Sequence, residues 1–128
     1  MTSRISHTTF DATDAYAQSV FWAQVLGFAE NPEDPNLPGH EECPIFSPDG
    51  REILLFIAVP DGAKEVKNRL HLDLTSSAED RDQEIDRLLA LGARRVDIGQ
   101  TGLESWTVLA DPEGNEFCVV RPQETLIG

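Results

Sequence analysis

Polar and apolar positions follow the same order twice along the chain: a short strand, a helix, then further strands. In the first half, residues 4–11 carry the β-branched and aromatic residues typical of a strand. Apolar residues then recur at helical spacing from Tyr16 to Leu26, where Gly27 ends the predicted helix and Thr13 or Asp14 can cap its start. An acidic, proline-rich loop over 30–42, a turn at 47–50 and a strand over 52–59 complete this half.

The second half repeats the pattern. Residues 69–75 alternate strictly between polar and apolar types, as a half-buried strand does. Ser76 and Glu79 form a capping box before an apolar helical stripe, and Gly92 ends that helix. The remaining predicted strands are 94–98, 105–109 and 116–121.

Concrete positions support an internal repeat. His7 lies twenty residues before Gly27, and His71 lies twenty-one before Gly92. The stretch P-D-G-R-E-I-L-L at 48–55 parallels P-E-G-N-E-F-C-V at 112–119. The sequence therefore predicts a single domain, 1–128, built from two similar units at about 3–60 and 68–122.

Alternation assigns side chains to the two faces of the predicted sheet. Leu70, Leu72 and Leu74 share the face expected beneath the helices, whereas His71, Asp73 and Thr75 share the other face. In the last strand, the face opposite Phe117 and Val119 is formed by Glu116, Cys118 and Val120. A sheet covered by helices on one side leaves its second face open, so we expect a ligand cleft where the His, Asp, Glu and Cys side chains lie.

Charge narrows the choice of partner. Ten basic residues against twenty-three acidic ones give a net charge of −13, spread over both halves. Nucleic acid is excluded because its phosphates would be repelled, and anionic membranes are disfavoured for the same reason. The negative electrostatic potential of such a protein favours cationic or neutral small molecules as ligands.

Nothing in the sequence predicts secretion or membrane insertion. The N-terminus lacks an apolar segment of the signal-peptide kind, and the longest apolar run, Ile53–Val59, is too short to span a bilayer. Cys43 and Cys118 have no C-x-x-C spacing and are predicted to be free thiols in a reducing compartment. We therefore expect a cytoplasmic protein.

The motifs together resemble the vicinal oxygen chelate superfamily, which includes glyoxalase I, extradiol dioxygenases and bleomycin- or fosfomycin-resistance proteins. The likeness is greatest to its actinobacterial-type, glyoxalase-like branch. It is carried by S-H-T-T-F-D near the N-terminus, F-W-A-Q-V-L-G-F at 21–28, N-R-L-H-L-D-L at 68–74 and A-D-P-E-G-N-E-F-C-V-V at 110–120. The resemblance implies an α+β fold: two βαβββ units forming a curved mixed sheet of about eight strands around a cleft, with helices on the outer face.

The resemblance also implies a divalent metal in the cleft, held by His, Glu or Gln from the first and last strands of each unit. His7 and His71 match the first-strand ligand positions. The last-strand position of unit two holds Cys118 instead of a carboxylate, and the matching strand of unit one offers apolar residues. Glu52 and Glu116, each two residues after a turn glycine, can supply a carboxylate from the strand ends, and Asp73 is a further candidate.

These residues allow one divalent ion (Zn, Ni, Mn or Fe) bound by His7 and His71 with Glu116 or Cys118. A Cys118 thiolate with both histidines would give zinc three ligands and an open position. The alternative is a metal-free pocket in which His7, His71, Trp106 and Cys118 contact a ligand directly.

Other roles stay open for several of these side chains. Glu116 or Asp73 can move a proton in a catalytic site, but Glu116 can equally close a hairpin and Asp73 can orient the His71 ring. Cys118 can be a small buried apolar residue and Trp106 a core aromatic, and His40 is expected to be a solvated loop residue.

Three functions follow from these residues. The favoured one is small-molecule binding in the sheet cleft with a degenerate metal site. The second is a metal-dependent lyase or isomerase, and the third is sequestration of a cationic drug of the bleomycin type. A homodimer is compatible with each, because relatives of the resistance type build clefts between chains.

Overall fold

Seven strands and two helices make up the described part of the chain. The computed structural model describes residues 2–60, 64–76, 81–96 and 106–120. The elements, in chain order, are β1 Thr8–Ala12, α1 Ala15–Leu26, β2 Glu42–Phe46, β3 Ile53–Ala58, β4 Asp73–Thr75, α2 Arg81–Leu91, β5 Arg94–Arg95, β6 Trp106–Ala110 and β7 Glu116–Val120. The chain divides into two compact units, unit one Met1–Ala63 and unit two Lys64–Gly128.

Unit one is a three-stranded sheet with α1 packed against it. The strand order is β1-β3-β2, with β1 parallel and β2 antiparallel to the central β3. Phe10 of β1 lies between Trp22 of α1 and Phe56 of β3, with ring-centroid distances of 6.0 and 5.2 Å. Trp22 and Phe56 are almost completely buried. These rings therefore identify the face of the sheet that α1 covers.

Both ends of α1 follow from single residues. Asp14 has an extended backbone, and its carboxylate accepts a hydrogen bond from the Ala17 N–H at 3.0 Å. Gly27 adopts a left-handed conformation with φ of 69° and donates its N–H to the Ala23 carbonyl. Asp14, rather than Thr13, is thus the N-cap, and the predicted end at Gly27 is confirmed.

The strand β2 was not predicted, because its proline and the acidic residues before it resemble a loop. Cys43 and Ile45 are buried, and Pro44 pairs with Leu55 of β3. An edge strand tolerates a proline, since one side of its backbone needs no partner in the sheet. In its described residues, unit one therefore has the order βαββ and not the expected βαβββ.

Unit two has the predicted βαβββ order. Its strands are arranged β4-β7-β6-β5, with β4 parallel to β7 and the other neighbours antiparallel. Ile85 and Leu88 form the buried side of α2, which packs against β7. Gly92 follows the last helical residue, as predicted.

The predicted α+β class is confirmed, with seven strands in the described residues against the expected eight or so. Three predicted strands whose residues are all described are shorter than their sequence patterns: 4–11 becomes Thr8–Ala12, 52–59 becomes Ile53–Ala58, and 69–75 becomes Asp73–Thr75. Glu79 of the capping box and residues 97–98 lie outside the described residues. The single domain with a common cleft stays a prediction.

Neither helix in the described ranges is long and apolar enough to cross a membrane.

Removing the cap of α1 should destabilise the protein. We expect Asp14→Ala to lower the free energy of unfolding by about 1 kcal/mol, because the Ala17 N–H loses its acceptor. Asp14→Asn keeps a side-chain oxygen and should retain most of the stability. Urea unfolding of the three proteins measures this. Equal losses in both variants would show that the acceptor is not what stabilises the helix end.

Candidate functional site

Three side chains able to bind a metal or a ligand meet in unit two. His71, Asp73 and Cys118 each offer a ligand atom, and these atoms all lie within 4.8 Å of one another. His71 Nδ1 lies 3.0 Å from Asp73 Oδ1. The structure thus brings together three of the residues that the sequence nominated, in one group that we call the triad.

The pairing of β4 with β7 places the triad on one face. Asp73 and Cys118 are partners in the parallel register, and the Cys118 N–H donates to the Leu72 carbonyl at 2.9 Å. His71 lies two residues before Asp73, and the 3.0 Å contact between their side chains puts both on the same side of the chain. Leu72 and Leu74 are half-buried while His71 and Asp73 are exposed, which confirms the predicted alternation. Leu70 is an exception to it.

Leu70 was expected on the buried face with the other two leucines, and this was wrong. It precedes β4 and is 89% exposed. The sheet pairing begins only at Asp73, so nothing imposes strand alternation as far back as Leu70.

Hydrogen bonding and burial together determine the reactivity of the triad. An ionised carboxylate can only accept hydrogen bonds, so the ring nitrogen is the donor in the contact between His71 Nδ1 and Asp73 Oδ1. Burial, the charge of Asp73 and a hydrogen bond to Asp73 raise the pKa of the Cys118 thiol to about 11, although Lys67 acts in the opposite direction. Cys118 is therefore a neutral thiol at neutral pH and not a ready nucleophile.

Glu116 has different partners. Its side chain is only 7% exposed, Oε2 accepts from Lys64 Nζ at 2.8 Å and Oε1 accepts from the Asn68 N–H at 2.9 Å. Burial would raise the pKa of this carboxyl, but the hydrogen bonds from Lys64 and Asn68 outweigh it and lower the pKa. Glu116 is thus a weak base, and it is not part of the triad.

His7 occupies the corresponding place in unit one. It is exposed one residue before β1, with Nδ1 2.9 Å from Ser6 Oγ. Two residues further on, Thr9 pairs with Leu55, as Asp73 pairs with Cys118 in unit two. The counterparts of the triad are therefore His7, Thr9 and Leu55, with one metal-binding side chain instead of three. The role of His7 as a metal ligand stays a prediction.

The strand pairing shifts the alignment of the two units by one residue relative to the repeat predicted from the sequence. The sequence aligned Leu54 with Cys118 and Glu52 with Glu116, whereas the strand partners align Leu55 with Cys118. Leu54 is buried, and it alternates with Leu55. Glu52 lies before β3, is exposed and is not the counterpart of Glu116.

Two further residues considered in the sequence are Trp106 and His40. The backbone of Trp106 pairs with Val120 at the start of β6, but its side chain lies outside the part that the structure describes. His40 is an exposed loop residue whose Nδ1 accepts the Leu37 N–H at 3.2 Å.

Sequence reasoning missed a polar network beside the triad. Asp111 is fully buried, and its Oδ1 accepts the N–H groups of Glu113 and Asn115. Asn115 Oδ1 in turn accepts from Asn68 Nδ2 at 3.0 Å. The motif D-P-E-G-N predicts the turn. The contact of Asn115 with Asn68, 47 residues earlier, could not be predicted from the neighbouring sequence.

Comparisons with known proteins agree with this architecture. A family model described as a glyoxalase-like domain matches residues 7–120. No curated protein matches the sequence significantly.

Solved structures match nearly the whole chain. A glyoxalase/bleomycin resistance protein/dioxygenase family enzyme from Burkholderia phytofirmans has 19% identity and a TM-score of 0.69 over 93% of this chain and 98% of its own. A variant of the fosfomycin resistance protein FosX from Listeria monocytogenes, complexed with Mn(II) and 1S,2S-dihydroxypropylphosphonic acid, has 18% identity and a TM-score of 0.70 over 99% and 96%. A possible glyoxalase from Bacillus cereus has 17% identity and a TM-score of 0.66 over 93% and 99%. At these identities the likeness shows a shared fold.

The Cys118 thiol should react slowly in the folded protein. Its pKa of about 11 lies two units above the ordinary value of 9.0, so its thiolate is about 100-fold scarcer at neutral pH. We expect slow alkylation by iodoacetamide in a Cys43→Ala background. Asp73→Asn should speed the reaction, because it removes the charge that opposes ionisation. An unchanged rate in Asp73→Asn would contradict the assigned cause.

The Glu116 carboxylate should stabilise the fold in a pH-dependent way. Because its folded pKa is lowered from 4.5, the stabilisation is complete above that pH and is lost as the pH falls through the folded pKa. We expect Glu116→Gln to cost about 1–3 kcal/mol at neutral pH, and this difference to shrink in acid. Urea unfolding across the pH range measures both effects, with the exposed Glu52→Gln as control. A difference that does not change with pH would contradict the prediction.

Proposed function

The chain belongs to the glyoxalase-like domain family, and we propose that it binds a small molecule at the open face of β4 and β7, where the triad holds one zinc-type divalent ion. The observation that carries the proposal is the convergence of a histidine nitrogen, a carboxylate and a thiol within 4.8 Å. His71 and Asp73 have 36% and 58% of their side-chain surface exposed, so a ligand can reach them.

The donor set favours zinc over harder cations. Zinc accepts nitrogen, sulfur and oxygen ligands at about 2.0–2.3 Å, so small side-chain movements would close the triad around it. Manganese and magnesium prefer oxygen donors, and the triad offers only one carboxylate. A thiol at position 118, where the superfamily pattern has a carboxylate, therefore supports a different metal preference from that of the relative complexed with Mn(II).

Two of the three ligand atoms are already in contact without a metal. His71 Nδ1 lies 3.0 Å from Asp73 Oδ1, so an ion held by both atoms would take the place of the hydrogen bond between them. The thiol of Cys118 must lose its proton when the ion binds, so uptake releases protons and weakens in acid. Three protein ligands leave a fourth position, at which bound zinc would act as a Lewis acid towards an oxygen of the small molecule.

The charge of the chain limits what that molecule is. A net charge of −13 repels polyanions and leaves neutral or cationic molecules as the favoured class. Glu116 is a weak base, and both of its carboxylate oxygens accept hydrogen bonds from Lys64 and Asn68. We therefore assign no proton transfer to Glu116.

Zinc titration tests the proposal. We expect the metal-free protein to bind one equivalent of zinc by calorimetry, and to prefer it to Mn(II). His71→Ala and Cys118→Ala should each weaken binding by more than the roughly 10- to 100-fold cost of losing an outer partner. His40→Ala is the matched control, since it removes an exposed loop histidine outside the triad.

Two results would overturn the metal assignment. One is the absence of stoichiometric zinc binding by the wild-type protein. The other is an equal loss of affinity in His40→Ala, which would mean that zinc binds to surface groups unselectively.

A further inference from the structure

We propose that Glu116 is a positioning residue, which together with Asn115 clamps residues 64–68 and thereby holds His71 and Asp73 beside Cys118. The inference rests on the proposed function only in so far as the triad is the binding site. The clamp itself is a property of the protein without metal.

Glu116 ties the start of unit two to β7 through both of its oxygens. Oε2 accepts from the Lys64 ammonium at 2.8 Å, and Oε1 accepts from the Asn68 backbone N–H at 2.9 Å. With 7% of its side chain exposed, the carboxylate is shielded from water. A buried carboxylate bonded to a cation and to a backbone donor restrains both in position, because losing either bond leaves a buried polar group unsatisfied.

A second tie runs through the turn before β7. Asn68 Nδ2 donates to Asn115 Oδ1 at 3.0 Å. Asn115 is itself held by Asp111, whose two carboxylate oxygens accept from the Asn115 N–H and Nδ2, each at 3.0 Å. Asp111 is fully buried, so its two hydrogen bonds hold Asn115, which in turn accepts from Asn68, in a fixed position.

The segment before β4 needs such a restraint. β4 has only three residues and lies at the edge of its sheet, with β7 as its only partner strand among the described residues. Val66 and Leu70 are 77% and 89% exposed, so apolar packing contributes little to holding this stretch. His71 precedes β4, and the described backbone bond nearest to it is from the Cys118 N–H to the Leu72 carbonyl.

The position of the clamp makes it act on the triad. Asn68 is three residues before His71, and Glu116 is two residues before Cys118, so the clamp joins the two chain segments that carry the triad. Metal and ligand sites lose affinity when their ligand atoms are displaced by about 1 Å. Glu116 therefore acts on binding through the backbone of residues 68–73, and not as a ligand or a base.

Hydrogen exchange and zinc affinity, measured on the same variants, test the clamp. In the metal-free full chain we expect Glu116→Ala to speed exchange of the Asn68 amide about tenfold, with a smaller increase up to Asp73, while amides shared by β6 and β7 change little. Zinc binding should weaken about 10- to 100-fold, as for other groups that orient ligands. Glu116→Gln keeps an oxygen for the Asn68 N–H but loses the charge that Lys64 binds, so it should restore only part of the protection and affinity.

Control variants separate the clamp from general destabilisation. Glu52→Ala removes a carboxylate two residues after the other turn glycine, and with it the same charge, and should leave exchange and affinity unchanged. Lys64→Met removes one tie and leaves the Asn68 bond, so it should give an intermediate effect even if Glu116→Ala does not fold.

Each outcome decides the proposal. Faster hydrogen exchange confined to residues 68–73 supports the clamp. This holds even if the protein binds no zinc, and only the metal assignment is then wrong. Unchanged exchange at Asn68 in Glu116→Ala and Lys64→Met overturns it. An equal increase throughout β6 and β7 also overturns it, because Glu116 would then stabilise the sheet as a whole.

Discussion

The register of β4 against β7 is the constraint on which the rest of unit two depends. Asp73 and Cys118 face each other only because these strands pair in parallel at this position. A shift of one residue would turn the side chains of one strand to the opposite face. The triad would then lose its carboxylate or its thiol. The clamp of Glu116 and Asn115 on residues 64–68 lies at the same end of the strand pair and supports the same register.

Buried polar groups serve two different purposes within this short region. Asp111 and Glu116 are inaccessible carboxylates with their oxygens engaged by donors from the chain, so they stabilise a backbone arrangement. Asp73 is exposed and hydrogen-bonded to His71, so its carboxylate can also exchange hydrogen bonds with solvent. The distinction follows from solvation, since an ionised group kept from water must be satisfied within the protein.

The two units show how one fold keeps or loses a site. Both place a histidine just before their first strand, and both pair that strand in parallel with their last. In unit one the counterparts of Asp73 and Cys118 are Thr9 and Leu55, so the same geometry carries a hydroxyl and an apolar side chain. The fold therefore supplies positions, and the residues at those positions decide the chemistry. For the same reason, fold likeness to a relative complexed with Mn(II) does not by itself assign a metal to this chain.

Local patterns in the sequence determined the two helices, the limits of α1 and the alternation that puts His71 and Asp73 on one face, while the α+β class was implied by the resemblance to a known superfamily. Periodicity, caps and turn residues act over a few neighbours, so they can be recognised without the fold. The strand β2 was not predicted, because Pro44 and the acidic residues before it make the local pattern resemble a loop, although Cys43 and Ile45 are buried. Only the tertiary structure decided the register of β3 and β7 with their partners, the exclusion of Glu116 from the triad and its bonds to Lys64 and Asn68. Those contacts join residues about fifty positions apart, and a hydrogen bond across that distance exists only once the strands have paired.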